Sequence, residues 1–244
     1  MYKLILLFFI VKPIHTIKIP TTSKTKYYYD PRIHNFGNVG LGGQLHSLLA
    51  PYATRMIDNK CYNSVNIRQL ILSKYNQDFY KKHEKIPKLI DLCCGTGTST
   101  YTNQLGIDTS KEMINAAILS KTQTQTQTQF NIGNAENYGQ EDEFDTATIM
   151  FAFHEMPNYA HHKIIKNAKK ITKHDIIIMD IDPKYSPSVL MLSGEPYLLN
   201  YKNTIHKILT QHQFSYIEYI PNHVGLWYYS HNQDSKINLT QLFK

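Results

Sequence analysis

The sequence predicts an α/β fold in which a mostly parallel, seven-stranded sheet is doubly wound by helices and ends in an antiparallel hairpin. Three observations carry that prediction. Short apolar runs suited to buried strands recur at 88–92, 105–108, 129–132, 144–150 and 175–181, with helix-compatible segments between them. Two β-rich runs, 214–220 and 224–230, flank the polar turn Pro221-Asn222-His223 and read as a hairpin. The glycine-rich stretch DLCCGTGTST, 91–100, ends the first strand, which is where a doubly wound sheet receives its ligand.

The elements follow in order. The fourteen residues DPRIHNFGNVGLGG, 30–43, hold four glycines and a proline, so they predict a loop near the ligand mouth. After the strand ending at Asp108, Thr109-Ser110-Lys111-Glu112 predicts a capping box with Thr109 as N-cap and Glu112 at N3. Only ten residues separate Gly97 from Asp108, which leaves room for about two turns of helix there. The stretch TQTQTQTQ, 122–129, reads as a solvated loop or an extension of the strand at Phe130. A helix is expected at 159–171, with lysines toward its C-terminal end where the dipole favours cations. The continuous apolar run 175–181 is a central strand covered on both faces, 194–211 is helical, and the polar tail beyond His231 is mobile.

A length of 244 residues supports one α/β core with additions, and 42% hydrophobic with 18% charged residues excludes wholesale disorder. The formal charge of +7 is misleading. Five lysines and no acid lie in the first 29 residues, leaving 21 basic against 19 acidic residues elsewhere, and there are three arginines, so no nucleic-acid footprint is present. The leader's apolar core, 4–11, is far shorter than the roughly 20 residues of a membrane span. Targeting to an organelle or the secretory pathway and a buried N-terminal element of a cytoplasmic protein both fit it. Cys61, Cys93 and Cys94 imply no disulfide framework, and no cysteine or histidine pair has zinc-ligand spacing, so no metal is expected. The chain divides into a leader (1–28), a helical and loop cap (29–84), a ligand-binding domain (85–231) and a tail (232–244).

What the glycine loop binds is narrowed by its neighbours. Gly95 and Gly97 let a ligand lie on the backbone. A dinucleotide site would carry a third glycine where Thr100 stands, and Asp91, four residues ahead of Gly95, would repel phosphate but attract an ammonium group. A phosphate-free, cationic nucleoside fits better than NAD.

These residues resemble the class I S-adenosylmethionine-dependent methyltransferases, with their Rossmann-like sheet, and among them the small-molecule "type 11" group. The matching motifs are Asp91-x-x-x-Gly95-x-Gly97, Asp108 in GIDTSKEM, Gly133–Glu136 (GNAE) and Phe144–Pro157 (FDTATIMFAFHEMP). The flanks DPRIHNFGNVGLGG and SPSVLMLSGEPYLL look like a eukaryotic, algal-type branch. The resemblance implies S-adenosyl-L-methionine as cofactor, held by Asp91, Cys93, Gly95, Gly97, Asp108, Thr109, Met113, Asn134, Ala135, Glu136 and Phe151. Asp91 would accept from the methionine amino group, directly or through water, and Asp108 from the ribose hydroxyls. Asn134 would take the adenine amino group, Ala135 the ring nitrogen, and Met113 with Ile114 would wall the base.

His154 and Glu155, after the fourth strand, are candidates for deprotonating the nucleophile, or else they hold the loop and pocket wall. His34, Tyr185, Tyr197 and Tyr201 are substrate candidates, with Glu195 and His46 nearby in the sequence; ordinary lid packing is the other reading of the tyrosines. The implied reaction is methyl transfer to a small molecule, with release of S-adenosylhomocysteine. FHEM in place of an N-P-P-Y-type motif argues against nucleic-acid amino groups. A catalytically silent cofactor-fold binding module and an NAD-linked oxidoreductase are the alternatives.

Overall fold

A computed structural model of the protein describes residues 26–122 and 127–232. The leader up to residue 25, positions 123–126 of the Thr-Gln repeat and the tail from 233 lie outside the described residues.

The strands are β1 (Leu89–Leu92), β2 (Leu105–Asp108), β3 (Gln129–Ile132), β4 (Phe144–Met150), β5 (Thr172–Ile181), β6 (Ser215–Ile220) and β7 (Val224–Ser230), in the order β3-β2-β1-β4-β5-β7-β6. The first five pair in parallel, and β7 runs antiparallel between β5 and β6. The chain reverses its winding between β1 and β4, so the crevice beyond the carboxyl ends of those two strands is the place for a ligand.

The apolar run of β5 has a direct cause. Ile176 and Ile178 pack on one face with α4 (Asn158–Ile171) and α6 (Leu198–Gln211), while Ile177 and Met179 pack on the other with α2 (Ile67–His83). All four are fully buried, and burying each contributes about 1.5–3 kcal/mol. A strand covered on both faces cannot alternate polar with apolar.

Several boundaries move relative to the sequence expectation. The connection between β1 and β2 holds turns and no helix. The sheet face that a crossover helix would cover is taken instead by α2, whose stripe Ile67, Ile71, Leu72, Tyr75 and Phe79 joins Leu89, Met150 and Leu226. Thus part of the 29–84 cap belongs to the core. The 30–43 loop is also shorter than expected, since α1 (Gly40–Cys61) begins inside it. Its glycines serve close approach: a Cβ on Gly42 would sit 1.8 Å from the Phe36 carbonyl oxygen.

The N-cap of α3 (Lys111–Thr122) is Ser110, not Thr109, because the Ser110 hydroxyl accepts the Met113 N–H at 3.1 Å. Glu112 leaves the capping box and accepts the Gly40 N–H at 2.8 Å, which ties the start of α1 to α3. The expected helix 194–211 is interrupted: α5 (Val189–Gly194) stops at Glu195 and α6 starts at Leu198. No helix among the described residues is long and apolar enough to cross a membrane.

Candidate active site

A cavity of about 940 Å³ opens at the carboxyl ends of β1, β2, β4 and β5, beneath α1 and the segment 27–38. Cys93 and Phe151, the residues that follow β1 and β4, both take a left-handed backbone, with φ of 64° and 55°. Each turns the chain sharply at the switch point and presents backbone to the cavity.

The cavity wall includes Cys93, Gly95, Asp108, Thr109, Met113, Asn134, Ala135, Phe151, His154, Glu155, His34 and Tyr185. A Cβ at Gly95 would meet nothing within 4 Å, so the loop offers open space over its backbone. Asp108 Oδ2 accepts the Gly95 N–H at 3.0 Å and Oδ1 the Ser110 N–H at 2.9 Å, which locks the carboxylate at the loop's edge. Burial pushes its pKa up to about 6 against the pull of those N–H donors. Asn134 Oδ1 accepts the Glu136 N–H at 2.9 Å, an Asx turn that orients the amide. The Cys93 thiol is held well above its usual pKa, first by burial and then by the Asp108 and Asp91 charges, so it is an apolar wall and no nucleophile.

Other sequence candidates lie outside that wall. Asp91 is fully buried and satisfied within the protein, its carboxylate accepting from Thr100 Oγ1 at 2.7 Å and Thr148 Oγ1 at 3.0 Å. It anchors the glycine loop to β4. Gly97, with φ of 75°, faces inward: a Cβ there would meet the Phe130 ring at 2.7 Å. We expect Gly97→Ala to cost roughly 2–4 kcal/mol, from left-handed strain plus overpacking, read as a fall in melting temperature. An unchanged melting temperature would show that Phe130 yields freely. Glu136 pairs with Lys163 at 3.1 Å, and Ile114 packs under the loop with Cys94 and Phe130. Tyr197 donates to Asp30 Oδ2 at 3.0 Å, and Tyr201, fully buried, donates to the Ile181 carbonyl at 2.7 Å. Both tyrosines hold structure around the cavity without lining it.

The polar groups at the far end form a connected set. His154 Nδ1 meets Asp180 Oδ1 at 2.6 Å, and Asp180 Oδ2 accepts the Phe153 N–H at 2.8 Å. Asp180 is fully buried in β5, so it holds the imidazole by one nitrogen and leaves Nε2 toward the cavity side, 4.0 Å from Glu155 Oε1. Burial works to lower the His154 pKa, but the charge and hydrogen bond of Asp180, helped by Glu195 and Glu155, outweigh it and raise it to about 9. Glu155 is pulled down to about 2: burial opposes this, and the His34 charge and hydrogen bond overcome it. His34 bridges Glu155 Oε1 at 2.9 Å and Glu195 Oε1 at 2.7 Å, joining the N-terminal segment to the loops after β4 and β5. His46 packs against His34 with ring centroids 4.3 Å apart and planes at 57°, and is lowered to about 4 by burial and by the His34 charge.

Three lining or supporting residues had little signal in the sequence. Asp180 looks like part of a strand. Glu195 stands at a helix break. Arg68 comes from α2; its guanidinium is buried against Asp58 at 2.7 Å and over the Phe151 ring at 5.4 Å, and its Nε lacks a hydrogen-bond partner among the described residues. Its place on the cavity wall follows from α2 covering the β1 face.

Residues 89–175 match the family model described as a methyltransferase domain. No curated protein matches the chain by sequence. Among solved structures, the chain is similar to the magnesium protoporphyrin IX methyltransferase of Synechocystis PCC 6803, solved with bound SAH, at 14% identity and a TM-score of 0.51 over 78% of this chain and 98% of that one. It is also similar to the PH0226 protein of Pyrococcus horikoshii OT3, at 17% identity and a TM-score of 0.50 over 74% of this chain and 98% of that one. At such identities the likeness is one of fold. Residues 89–175 thus match a methyltransferase domain, and the chain shares the Rossmann-like fold of the Synechocystis methyltransferase.

Proposed function

We propose that the protein transfers a methyl group from S-adenosyl-L-methionine to a small-molecule acceptor, within the small-molecule group and the algal-type branch that its sequence resembles. The observation that supports this most is the single cavity joining Gly95 and Asp108 at one end to His154 and Glu155 at the other. The cofactor fits what lines it. Gly95 leaves the backbone open, Asp108 can accept from two ribose hydroxyls, Met113 and Ala135 offer apolar and backbone contacts to adenine, and Arg68 Nε, which no described residue engages, suits the methionine carboxylate. Arg68 thereby takes up the polar end of the amino acid, a task the sequence reading gave to Asp91.

When bound, the cofactor supplies an electrophilic methyl carbon on a sulfonium. The chain's contribution is to bind and orient the acceptor, exclude water, and take its proton. His154, fixed through Nδ1 by Asp180, presents Nε2 as the group able to take that proton once the ring is neutral. Most of the acceleration comes from holding two reactants together.

Titration with S-adenosylmethionine and NAD in parallel should give binding of the first alone. Label from the methyl group should enter small molecules of a cell metabolite extract and vary little between low and moderate salt, because no phosphate counterions are released. Label confined to RNA, DNA or protein, falling steeply with salt, would reverse the reading.

A further inference from the structure

Glu195 closes α5 and lines the cavity while remaining only 6% exposed. Its Oε1 receives His34 Nδ1 at 2.7 Å, but Oε2 is buried and receives a hydrogen bond from no described residue. The other ring nitrogen of His34 meets Glu155 Oε1 at 2.9 Å. A carboxylate only accepts and a neutral imidazole has one N–H, so a ring bonded to two carboxylates is an imidazolium. Glu155, His34 and Glu195 together therefore carry one negative charge in excess. Nearby cations do not cancel it: the His154 ring is matched by Asp180 and Arg68 by Asp58. His46, packed against His34, meets the Asn38 side chain through Nδ1.

A buried carboxylate oxygen with no donor is unfavourable, and no described residue supplies one. We infer that Glu195 Oε2 receives an N–H of the methyl acceptor, and that the acceptor is an amphipathic amine carrying a positive charge. The inference rests on the methyltransferase reading above. The remainder of the wall suits such a molecule. Tyr185 and His223 stack at 5.1 Å with 15° between their planes, and Leu49, Ile57 and Met191 supply apolar surface for a ring or hydrocarbon body. A neutral hydroxyl would satisfy the oxygen but leave the excess charge unmatched, and a carboxylate would be repelled.

A cell metabolite extract is separated on a cation exchanger at neutral pH into a retained, amine-bearing fraction and a flow-through, and each is offered to the full chain with labelled S-adenosylmethionine. The expected result is at least tenfold more label in products of the retained fraction. Glu195→Gln should lower that transfer at least tenfold while binding S-adenosylhomocysteine within about twofold of the original, and Glu195→Asp should keep more activity than Gln. Label mainly in the flow-through, no transfer to either fraction by a protein that binds S-adenosylhomocysteine, or undiminished use of amines by Glu195→Gln would each overturn the inference. Should Glu195→Gln not fold, the comparison of fractions with the unaltered chain still decides. Failure of the unaltered chain to bind S-adenosylhomocysteine would instead remove the methyltransferase reading and the inference with it.

Discussion

Asp108→Ala is expected to weaken binding of S-adenosylmethionine and S-adenosylhomocysteine by about 2–4 kcal/mol, roughly 30- to 700-fold in calorimetry. The carboxylate stands at the lip of the cavity, fixed by the N–H groups of Gly95 and Ser110, so its orientation exists before any ligand arrives. Ribose hydroxyls donate to its charged form. Because burial raises its pKa to about 6, the free protein is partly protonated there below pH 6, and cofactor affinity should rise as pH goes from 5 to 7. Asp91, raised to about 6 by burial, titrates over the same range, so Asp108→Asn serves as the control. The part of the rise that disappears in this variant belongs to Asp108. Unchanged affinity in Asp108→Ala would remove the assigned ribose site.

The second large effect is on turnover. His154→Ala should slow transfer roughly 100-fold or more with cofactor affinity intact, the loss expected for a general base. Its environment adds a test that a merely structural histidine would not meet. The ring must lose its proton before it can accept another, so kcat/KM should climb with pH up to about 9. Asp180→Asn removes the charge that favours the imidazolium, so the limb should move to lower pH in that variant. The same pair affects stability in the opposite sense. A histidine whose pKa is raised in the folded state adds stability below about 6.5, the unfolded value, and that stability is lost as pH rises through about 9. Asp180→Asn should therefore flatten the decline in unfolding free energy between those values. A drop confined to cofactor binding in His154→Ala would return His154 to the pocket wall.

The class of fold and half the site are written locally in the sequence. A strand buried on both faces must be apolar throughout, as 175–181 is, and a loop that crosses under a ligand needs glycine, as at Gly95. The family resemblance pointed to Asp108 and Ala135, and both line the cavity at the carboxyl end of the parallel strands, where such a sheet receives its ligand. What depended on distant parts of the chain was not legible. Asp91 lies in β1, and its hydrogen bond from Thr148, 57 residues away on β4, is not written near it in the sequence. Asp180 lies in the strand that neighbours β4, and only sheet pairing brings it under His154. His34 lies 121 residues from Glu155, and only the folded cap closes that gap. Local pattern reports which face of an element is apolar, since that depends on spacing within it; it carries no information on which side chain of a remote element will satisfy a buried charge. The sequence by itself thus determined the sheet and the glycine loop, and placed Asp108 at the end of β2. The tertiary structure alone decided that α2 replaces the missing crossover helix, that Asp180 orients His154, and that Glu195 keeps one buried oxygen without a partner among the described residues, because each of these depends on what meets across the core.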